Sequence, residues 1–509
     1  MDIKRPILLI PMCGIGKRFK DAGYKIHKSQ INISGTNMLN RVSEKFPKDF
    51  KKYIITTKKI KEEICKSNQI INKTNNYFWI IIEEHALGPG YTLYKGINQI
   101  PDYEPIYISY CDITWTWGKV KLPHENKNIE AAIFTHYGFH PHLINNPFSA
   151  FCKKNYNNTL KKIKEKGSFT KNWMSEEVSI GVFYIRNKKF LMEGLNKLIR
   201  RKYLVKNEYY PSLIFNFFVE RELKVHLIKV KSFVHYGTPD QLEDFKRWID
   251  NLRKNFQKEI IKFPAIFLAA GEGRRMKKIS NLPKSLIKIG HQRLIDKVIK
   301  NLPINRNKII LIINKSSSKF YDLDKRYFLY GIRKTNNQLD SLKESLKIIE
   351  DTNSFFLCSS DCYGKFNTKK LEKAINSKKF KIVCFGFNPS ITQTKLGGHT
   401  YFSYKADEII DIHIKERLHK KNLGLAGFFW ISDSIFLKNL VAQFYISEYF
   451  KCINREVIID DLIKFIITKN INVGFIKLEN YIHLGSELEF KEYNFWKNNI
   501  KDLLDKRYY

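Results

Sequence analysis

The chain has 509 residues, enough for two to four domains; 43% are hydrophobic and 14% aromatic, which excludes a disordered chain. No apolar run approaches the roughly 18 to 20 residues of a membrane span, and the eight cysteines are scattered with no Cys-x-x-Cys, so a reduced, cytoplasmic protein is expected. The net charge of +39 is spread along the whole chain without a basic tail or arm, which argues against nucleic acid as the main partner and leaves the charge for anionic small substrates and solvated faces.

The N-terminal "MDIKRPILLIPMCG" lacks a small-residue cleavage site and reads as a buried strand. It opens a longer pattern, "ILLIPMCGIGKRFKDAGYKIHKSQINISG" (7–35): strand, glycine turn with Gly14 and Gly16, Arg18, a spacer, Lys28. Strands "KKYIITT" and "YFWIIIEE" follow, then a helix over "TLYKGINQI" (92–100). The strand "PIYISYCDITW" (105–115) carries Asp112 at its end. After "AAIFTHY" come "EEVSIGVFYI" (176–185) with Gly181 and "SFVHYGTPDQLEDFKRW" (232–248) with Gly237. The polar, basic stretch "DNLRKNFQKEIIKF" (250–263) reads as a connection, giving expected domains 1–255 and 256–509.

The pattern then starts again. "AIFLAAGEGRRMKKISNLPKSLIKIG" (265–290) repeats the strand, the glycine turn (Gly271, Gly273), the arginine (Arg275) and the lysine (Lys284). Strands "KIILIIN", "FFLCSS" and "KIVCFGF" and a helix over "DSLKESLKIIED" (340–351) follow, with Asp361, Gly427 and Gly485 matching Asp112, Gly181 and Gly237. Five landmarks recur in one order at an offset of roughly 250 residues, the mark of a tandem duplication. Strand–helix alternation predicts an α/β fold in each half: two tandem doubly wound, mostly parallel, Rossmann-like sheets with ligands at the carboxyl ends of the strands.

The recurring residues suit phosphate chemistry. Glycine lets backbone N–H groups approach an anion at a helix start. Arginine forks onto phosphate oxygens, lysine adds a point charge, and an aspartate at a strand end can hold Mg2+ against the same phosphates. Such a set serves phosphoryl or nucleotidyl transfer, where catalysis is positioning and charge stabilisation.

"LAAGEGRRM…LPKSLIKIG" resembles the signature of the sugar-phosphate nucleotidyltransferase superfamily, Gly-x-Gly-x-Arg followed by Pro-Lys. The first half is similar to glucose-1-phosphate thymidylyl- or uridylyltransferases through "PMCGIGKRF", "LGPGYTL" (87–93), "ISYCDITWTW" (108–117), "KIKEKGSF" (162–169), "NEYYPS" (207–212) and "YGTPDQLEDF" (236–245). In the second half "KTNNQLDSL" (334–342) resembles a segment of cytidylyltransferases of the choline-phosphate type. The resemblance implies attack of a sugar-phosphate oxygen on the α-phosphorus of an NTP with loss of pyrophosphate, for activated precursors of capsule or other surface polysaccharide. It implies catalytic roles for Arg18, Lys28, Arg275 and Lys284, and nucleotide contacts at Gly14, Gly16, Gly88, Gly271, Gly273 and Ser341. It implies substrate contacts at Glu165, Gly181, Glu416 (with Lys415) and Gly427, and Mg2+ on Asp112 and Asp361.

Two departures stand out. His27 occupies the position of Pro283, and His235 and His483 stand where the family often has a second metal-binding aspartate; histidine suits Mg2+ poorly. "HYGFHPHL" (136–143) matches zinc spacing only loosely, and Asp460–Asp461 in "IIDDL" reads as a helix cap. Two alternatives stay open: one half catalytic with the other a nucleotide sensor or scaffold, or a glycosyltransferase of related topology. Against the latter, the metal strands read "CDIT" and "DCYG", not Asp-x-Asp. A homo-oligomer is left open.

Overall fold

The computed structural model describes residues 5–66, 77–102, 105–144, 147–253, 263–305, 308–321, 327–349 and 354–505. The chain forms two compact units: Met1–Trp248 together with Phe495–Tyr509, and Ile249–Asn494. Most of the 250–263 connection lies outside the described residues.

Unit 1 is built on β1 (Ile7–Pro11), every residue of which is buried. A strand sends alternate side chains to opposite faces. Ile7 and Leu9 join one core with Leu93, Leu191, Leu195 and Phe215, and Leu8 and Ile10 join another with Leu39, Val42, Ile60 and Ile64. Helices therefore cover both faces, as the strand–helix alternation predicts. The sheet runs β3 (Tyr77–Ile81), β2 (Lys51–Thr56), β1, β4 (Ile106–Ser109), β9 (Glu177–Ile185), with β6 (Ala131–Tyr137) and β10 (Val225–Lys229) beyond. β3, β2, β1 and β4 are parallel; β9 runs antiparallel to β4 and to β6. β9 also pairs with β7 (Phe151–Lys154), which forms a hairpin with β8 (Leu160–Lys164). A two-stranded ribbon of β5 (Ile113–Thr116) and β11 (Ser232–His235) lies off the main sheet.

Unit 2 has the same order. It runs β14 (Phe328–Ile332), β13 (Ile309–Asn314), β12 (Ala265–Leu268), β15 (Phe355–Ser359), β20 (Leu423–Ile431), β17 (Ile382–Phe387), β21 (Val473–Lys477). The hairpin β18 (Tyr401–Lys405) and β19 (Glu408–His413) again pairs with the long antiparallel strand, and the ribbon β16 (Cys362–Lys365) and β22 (Asn480–His483) is repeated. Each sheet is thus parallel on one side of its centre and antiparallel or mixed on the other, a more mixed pattern than the sequence suggests. The helix expected over 340–351 spans Gln338–Ser345.

The last described helix, α11 (Glu487–Leu504), passes from unit 2 into unit 1 at Phe495. In unit 1 the fully buried Trp496 stacks on Phe245 at 5.6 Å and Trp248 at 6.1 Å. Its last turn is held by side chains of unit 1: Thr114 Oγ1 donates to Leu503 O at 3.1 Å, Arg41 Nη1 to Leu504 O at 3.5 Å, and Lys45 Nζ to Asp505 O. Cations at a helix C-terminus answer its partial negative charge.

Candidate active site

Each unit gathers its recurring residues at the carboxyl ends of its parallel strands. After β1 the loop reaches Gly16 at φ +69, a left-handed conformation that glycine adopts without a side-chain penalty, and turns into α1 (Lys17–Asp21). After β12 Gly273 at φ +61 does the same. Nothing lies within 4 Å of where a side chain would stand on Gly14 or Gly271, so both loop edges face open space. Arg18 and Arg275 are exposed beside these loops.

Past each loop a short 3-10 turn presents a lysine to an aspartate. Lys28 Nζ lies 2.8 Å from Asp112 Oδ2, and Lys284 Nζ pairs with Asp361 Oδ2 in the same way. The sequence separates these partners by 84 and 77 residues, and the fold brings both pairs together. Burial alone would raise the Asp112 carboxyl; the Lys28 ammonium outweighs it and holds it below the usual carboxylate range. Asp361 is held well below by Lys284 and His483 against the same burial.

His27, at the position of Pro283, does the positioning that a rigid ring does in unit 2. It is buried; its Nε2 lies 3.0 Å from Gly14 O and its Nδ1 accepts from Ser29 N at 3.3 Å. The ring therefore ties the lysine turn to the glycine loop.

The second pair of histidines divides the units. His235 sits in β11 beside Asp112; burial, with His142 adding, pushes it down to about 3, so it is neutral, and its Nε2 has no hydrogen-bond partner among the described residues. His483 Nε2 lies 3.4 Å from Asp361 Oδ2 and its Nδ1 donates to Glu489 Oε1 at 2.7 Å. Burial opposes its charge, but Glu489 and Asp361 raise it to about 9, so it is an imidazolium at neutral pH. His399 Nε2 also reaches Glu489 Oε1 at 2.8 Å, and Ser486 Oγ donates to Oε2 at 2.8 Å. His399, His483 and Glu489 offer ligand atoms within 4.8 Å of one another, and these hydrogen bonds already account for the grouping.

The two carboxylates differ as cation sites. Asp112 Oδ1 makes no hydrogen bond to another described residue, so this carboxylate would be the one to hold a divalent cation, which would supply charge neutralisation for phosphates. Asp361 Oδ2 faces both Lys284 and His483, and Oδ1 accepts from Ser359 Oγ, so both oxygens are already engaged.

A second cluster flanks the first in unit 1. Gly181, at φ +85, would place a side chain 2.5 Å from Tyr110 Cδ2. Glu165 Oε2 accepts from Ser212 Oγ at 2.6 Å; burial raises its carboxyl, with Ser212 opposing. Tyr110 feels the charges of Glu165, Asp112 and Glu208, and Tyr210 donates to Glu208. These residues make a polar cluster near Asp112, of which sequence reasoning named only Glu165 and Gly181. Gly88 (φ +84) starts α3 (Gly88–Gly96), where a side chain would stand 2.7 Å from Glu208 Cβ. Tyr209 N donates to Leu87 O and Gly90 N to Tyr209 O, both at 2.8 Å, so Gly88 allows a close backbone approach.

Unit 2 departs from expectation here. Gly427 lies against Ser359 and Cys362. Glu416 is exposed and makes no hydrogen bond or ion pair among the described residues. It lies beyond the left-handed Lys415 (φ +59), whereas Glu165 precedes the left-handed Lys166 (φ +55), so the register sets Ile414 against Glu165. Ser341 is buried in its own helix turn, with Thr335 Oγ1 at 2.6 Å and a hydrogen bond to Asn337 O at 3.3 Å. Of the Asp460–Asp461 pair, Asp461 makes the cap: it accepts from Ile458 N at 2.9 Å and pairs with Arg455. Asp460 does not.

Two of the three histidines of 136–143, His140 and His142, are held in structural hydrogen bonds. His140 Nε2 reaches Phe233 O at 3.1 Å and its Nδ1 accepts from His142 N at 3.1 Å; His142 reaches His235 O at 3.0 Å and Asp244 Oδ2 at 3.3 Å. All eight cysteines are free. Among the described residues no helix is long and apolar enough to cross a membrane.

With this geometry in view, residues 264–412 match the family model for nucleotidyl transferases. No curated protein matches the chain. A nucleoside-diphosphate-sugar pyrophosphorylase from Vibrio cholerae is similar at 17% identity and TM-score 0.40, over 47% of this chain and 100% of that one. The inositol-1-phosphate CTP transferase from T. maritima is similar at 15% identity and TM-score 0.37, over 50% and 99%. The UTP-bound UGPase from Acinetobacter baumannii gives 12% identity and TM-score 0.37, over 49% and 94%.

Proposed function

We propose that both units transfer a nucleoside monophosphate from an NTP to a phosphate-bearing acceptor, a sugar phosphate or a relative of one, with release of pyrophosphate. Residues 264–412 carry a nucleotidyl transferase domain. The observation that supports extending the activity to unit 1 is the lysine–aspartate pair set against an open glycine loop, built twice: Lys28 with Asp112 and Lys284 with Asp361.

In this reading Gly14, Gly16 and Arg18, and Gly271, Gly273 and Arg275, take the triphosphate. Lys28 and Lys284 balance charge that builds on the α-phosphoryl oxygens as the acceptor oxygen attacks. Gly88 and Ser341 lie on the nucleotide side, Glu165, Gly181 and Gly427 on the acceptor side. Asp112 would hold Mg2+, which supplies charge neutralisation for the departing pyrophosphate. The activated products would feed capsule or other surface polysaccharide.

One observation favours a second reading for unit 2. Asp361 is engaged by two cations, Lys284 and His483, so this unit could bind nucleotide as a sensor while unit 1 reacts. Pyrophosphate release by Lys28→Gln and Lys284→Gln chains decides between them. Glutamine keeps a donor for the aspartate and removes the charge. Loss of one activity in each variant supports two enzymes; full activity in Lys284→Gln leaves unit 2 as the sensor, and full activity in both refutes the proposal.

A further inference from the structure

The repeated strand order allows the acceptor sides of the two units to be compared position by position. In unit 1 the hairpin β7–β8 ends at Lys164, and Glu165 precedes the left-handed Lys166; in unit 2 the hairpin β18–β19 ends at His413, and Ile414 precedes the left-handed Lys415. Pairing the two lysines sets Ile414 where Glu165 stands. Facing each hairpin is a helical stretch. In unit 1 the 3-10 turn Pro211–Leu213 runs into α5 (Ile214–Glu220); in unit 2 the stretch is α10 (Ile459–Thr468). Pairing their first residues sets Ser212 against Asp460. The burial agrees along the pairing: Tyr209 and Val457 are each 7% exposed, Phe217 and Phe465 each 3%.

The acid has therefore changed sides. In unit 1 the carboxylate comes from the hairpin and the hydroxyl from the helix. In unit 2 the carboxylate comes from the helix, and the hairpin residue is apolar. Asp460 is not spent on capping, since Asp461 does that and holds Arg455. It faces Thr400, whose hydroxyl is buried and makes no hydrogen bond of sound geometry among the described residues. Burial, with Asp461 adding and Thr400 and Arg455 opposing, pushes the Asp460 carboxyl up to about 6. The start of α10 is tied to the nucleotide-side helix α8 (Gln338–Ser345) by Ile459 N, which donates to Gln338 Oε1 at 3.4 Å. In unit 1 the Tyr209–Leu87 backbone bond makes the same tie.

We propose that Asp460 is the acceptor-recognising acid of unit 2, so that this unit selects an acceptor phosphate whose hydrogen-bond donor, a hydroxyl or an ammonium, points to the helix and not to the hairpin. The inference rests on the nucleotidyl-transfer reading. It makes the two units different in acceptor, whatever nucleotide each uses.

The test uses the full chain with unit 1 silenced by Lys28→Gln. Pyrophosphate release is followed with each NTP and three probes: glucose 1-phosphate, glycerol 3-phosphate and ethanolamine phosphate. In that background Asp460→Asn raises the KM of the accepted probe about tenfold or more, the worth of a hydrogen bond to a charged group, and leaves the KM of the NTP unchanged. Asp460→Glu restores part of the loss. Preference for ethanolamine phosphate identifies the donor as an ammonium; preference for either of the others identifies a hydroxyl. An acceptor KM that ignores both Asp460→Asn and Thr400→Val overturns this inference while nucleotidyl transfer stands. No release with any probe, in this chain or the unmodified one, overturns the nucleotidyl-transfer reading and this inference with it.

Discussion

Alanine at Gly181 meets two obstacles at once, and alanine at Gly427 meets one. Gly181 sits at φ +85, a conformation that costs an L residue about 1–2 kcal/mol. Its new Cβ would stand 2.5 Å from Tyr110 Cδ2 and 3.1 Å from Cε2, and the Tyr110 ring is packed edge-on against Phe183 at 6.2 Å. Overpacking of this kind costs about 1–3 kcal/mol, so Gly181→Ala should lose about 2–5 kcal/mol. Gly427 is not in the left-handed region; its Cβ would meet Ser359 Cβ at 2.9 Å and Cys362 Sγ at 3.2 Å, so only the overpacking cost of about 1–3 kcal/mol applies. Amide hydrogen exchange on peptides covering Glu177–Ile185 and Leu423–Ile431 reads each strand by itself. A loss of about 3 kcal/mol speeds exchange roughly 100-fold in β9 of Gly181→Ala, with about tenfold less effect in β20 of Gly427→Ala. An effect in Gly427→Ala equal to or larger than that in Gly181→Ala would refute the reasoning.

Three other outcomes are expected. Lys28→Gln should cut the turnover of unit 1 by about 100-fold or more and leave unit 2 unaffected, and Lys284→Gln the reverse, measured as pyrophosphate release with each NTP. Asp460 has a folded-state pKa raised to about 6, above its ordinary 3.8, so the folded state binds more protons between these values and stability falls as pH rises through that window. Asp460→Asn should therefore melt like the unmodified chain near pH 4 and be more stable by ~2 kcal/mol at pH 8, discounted for partial exposure; equal melting at pH 8 would count against the assigned environment. Glu165→Gln should likewise gain stability at neutral pH, since burial raises that carboxyl too, while weakening acceptor binding in unit 1, which calorimetric titration would show.

The parts of the site legible in sequence were those carried by short contiguous patterns. The Gly14–Gly16 and Gly271–Gly273 loops, and the lysine that follows each, are local consequences of a strand running into a turn. Asp112 and Asp361 were found because a strand end is visible as an apolar run that stops. The acceptor side was less legible, because its residues come from three separate stretches whose register depends on where a hairpin turns. Lys166 and Lys415 share a left-handed conformation, which no residue-type pattern announces, and matching these two turns shows that Glu416 follows its lysine where Glu165 precedes its own. Asp460 was hidden for a related reason. Beside Asp461 at a helix start it looks like a cap, and only the fold tells which of two adjacent carboxylates points to the backbone. The fate of His483 depended on Glu489, whose role appears only once α11 packs beside β22.

The crossing of α11 at Phe495 imposes an order in time. Unit 1 is made of two stretches, Met1–Trp248 and Phe495–Tyr509, that flank the other unit in the chain. Between Trp248 and Phe495 the whole of the other unit must be synthesised, a delay of roughly tens of seconds at ordinary elongation rates. Through that interval the faces of Phe245 and Trp248 lack Trp496, and Arg41 and Lys45 lack the carbonyls they hold. The later-made unit can close while the earlier one waits. A chain severed between the two therefore does not yield two equal halves: one piece keeps its sheet, and the other loses the segment that completes its core.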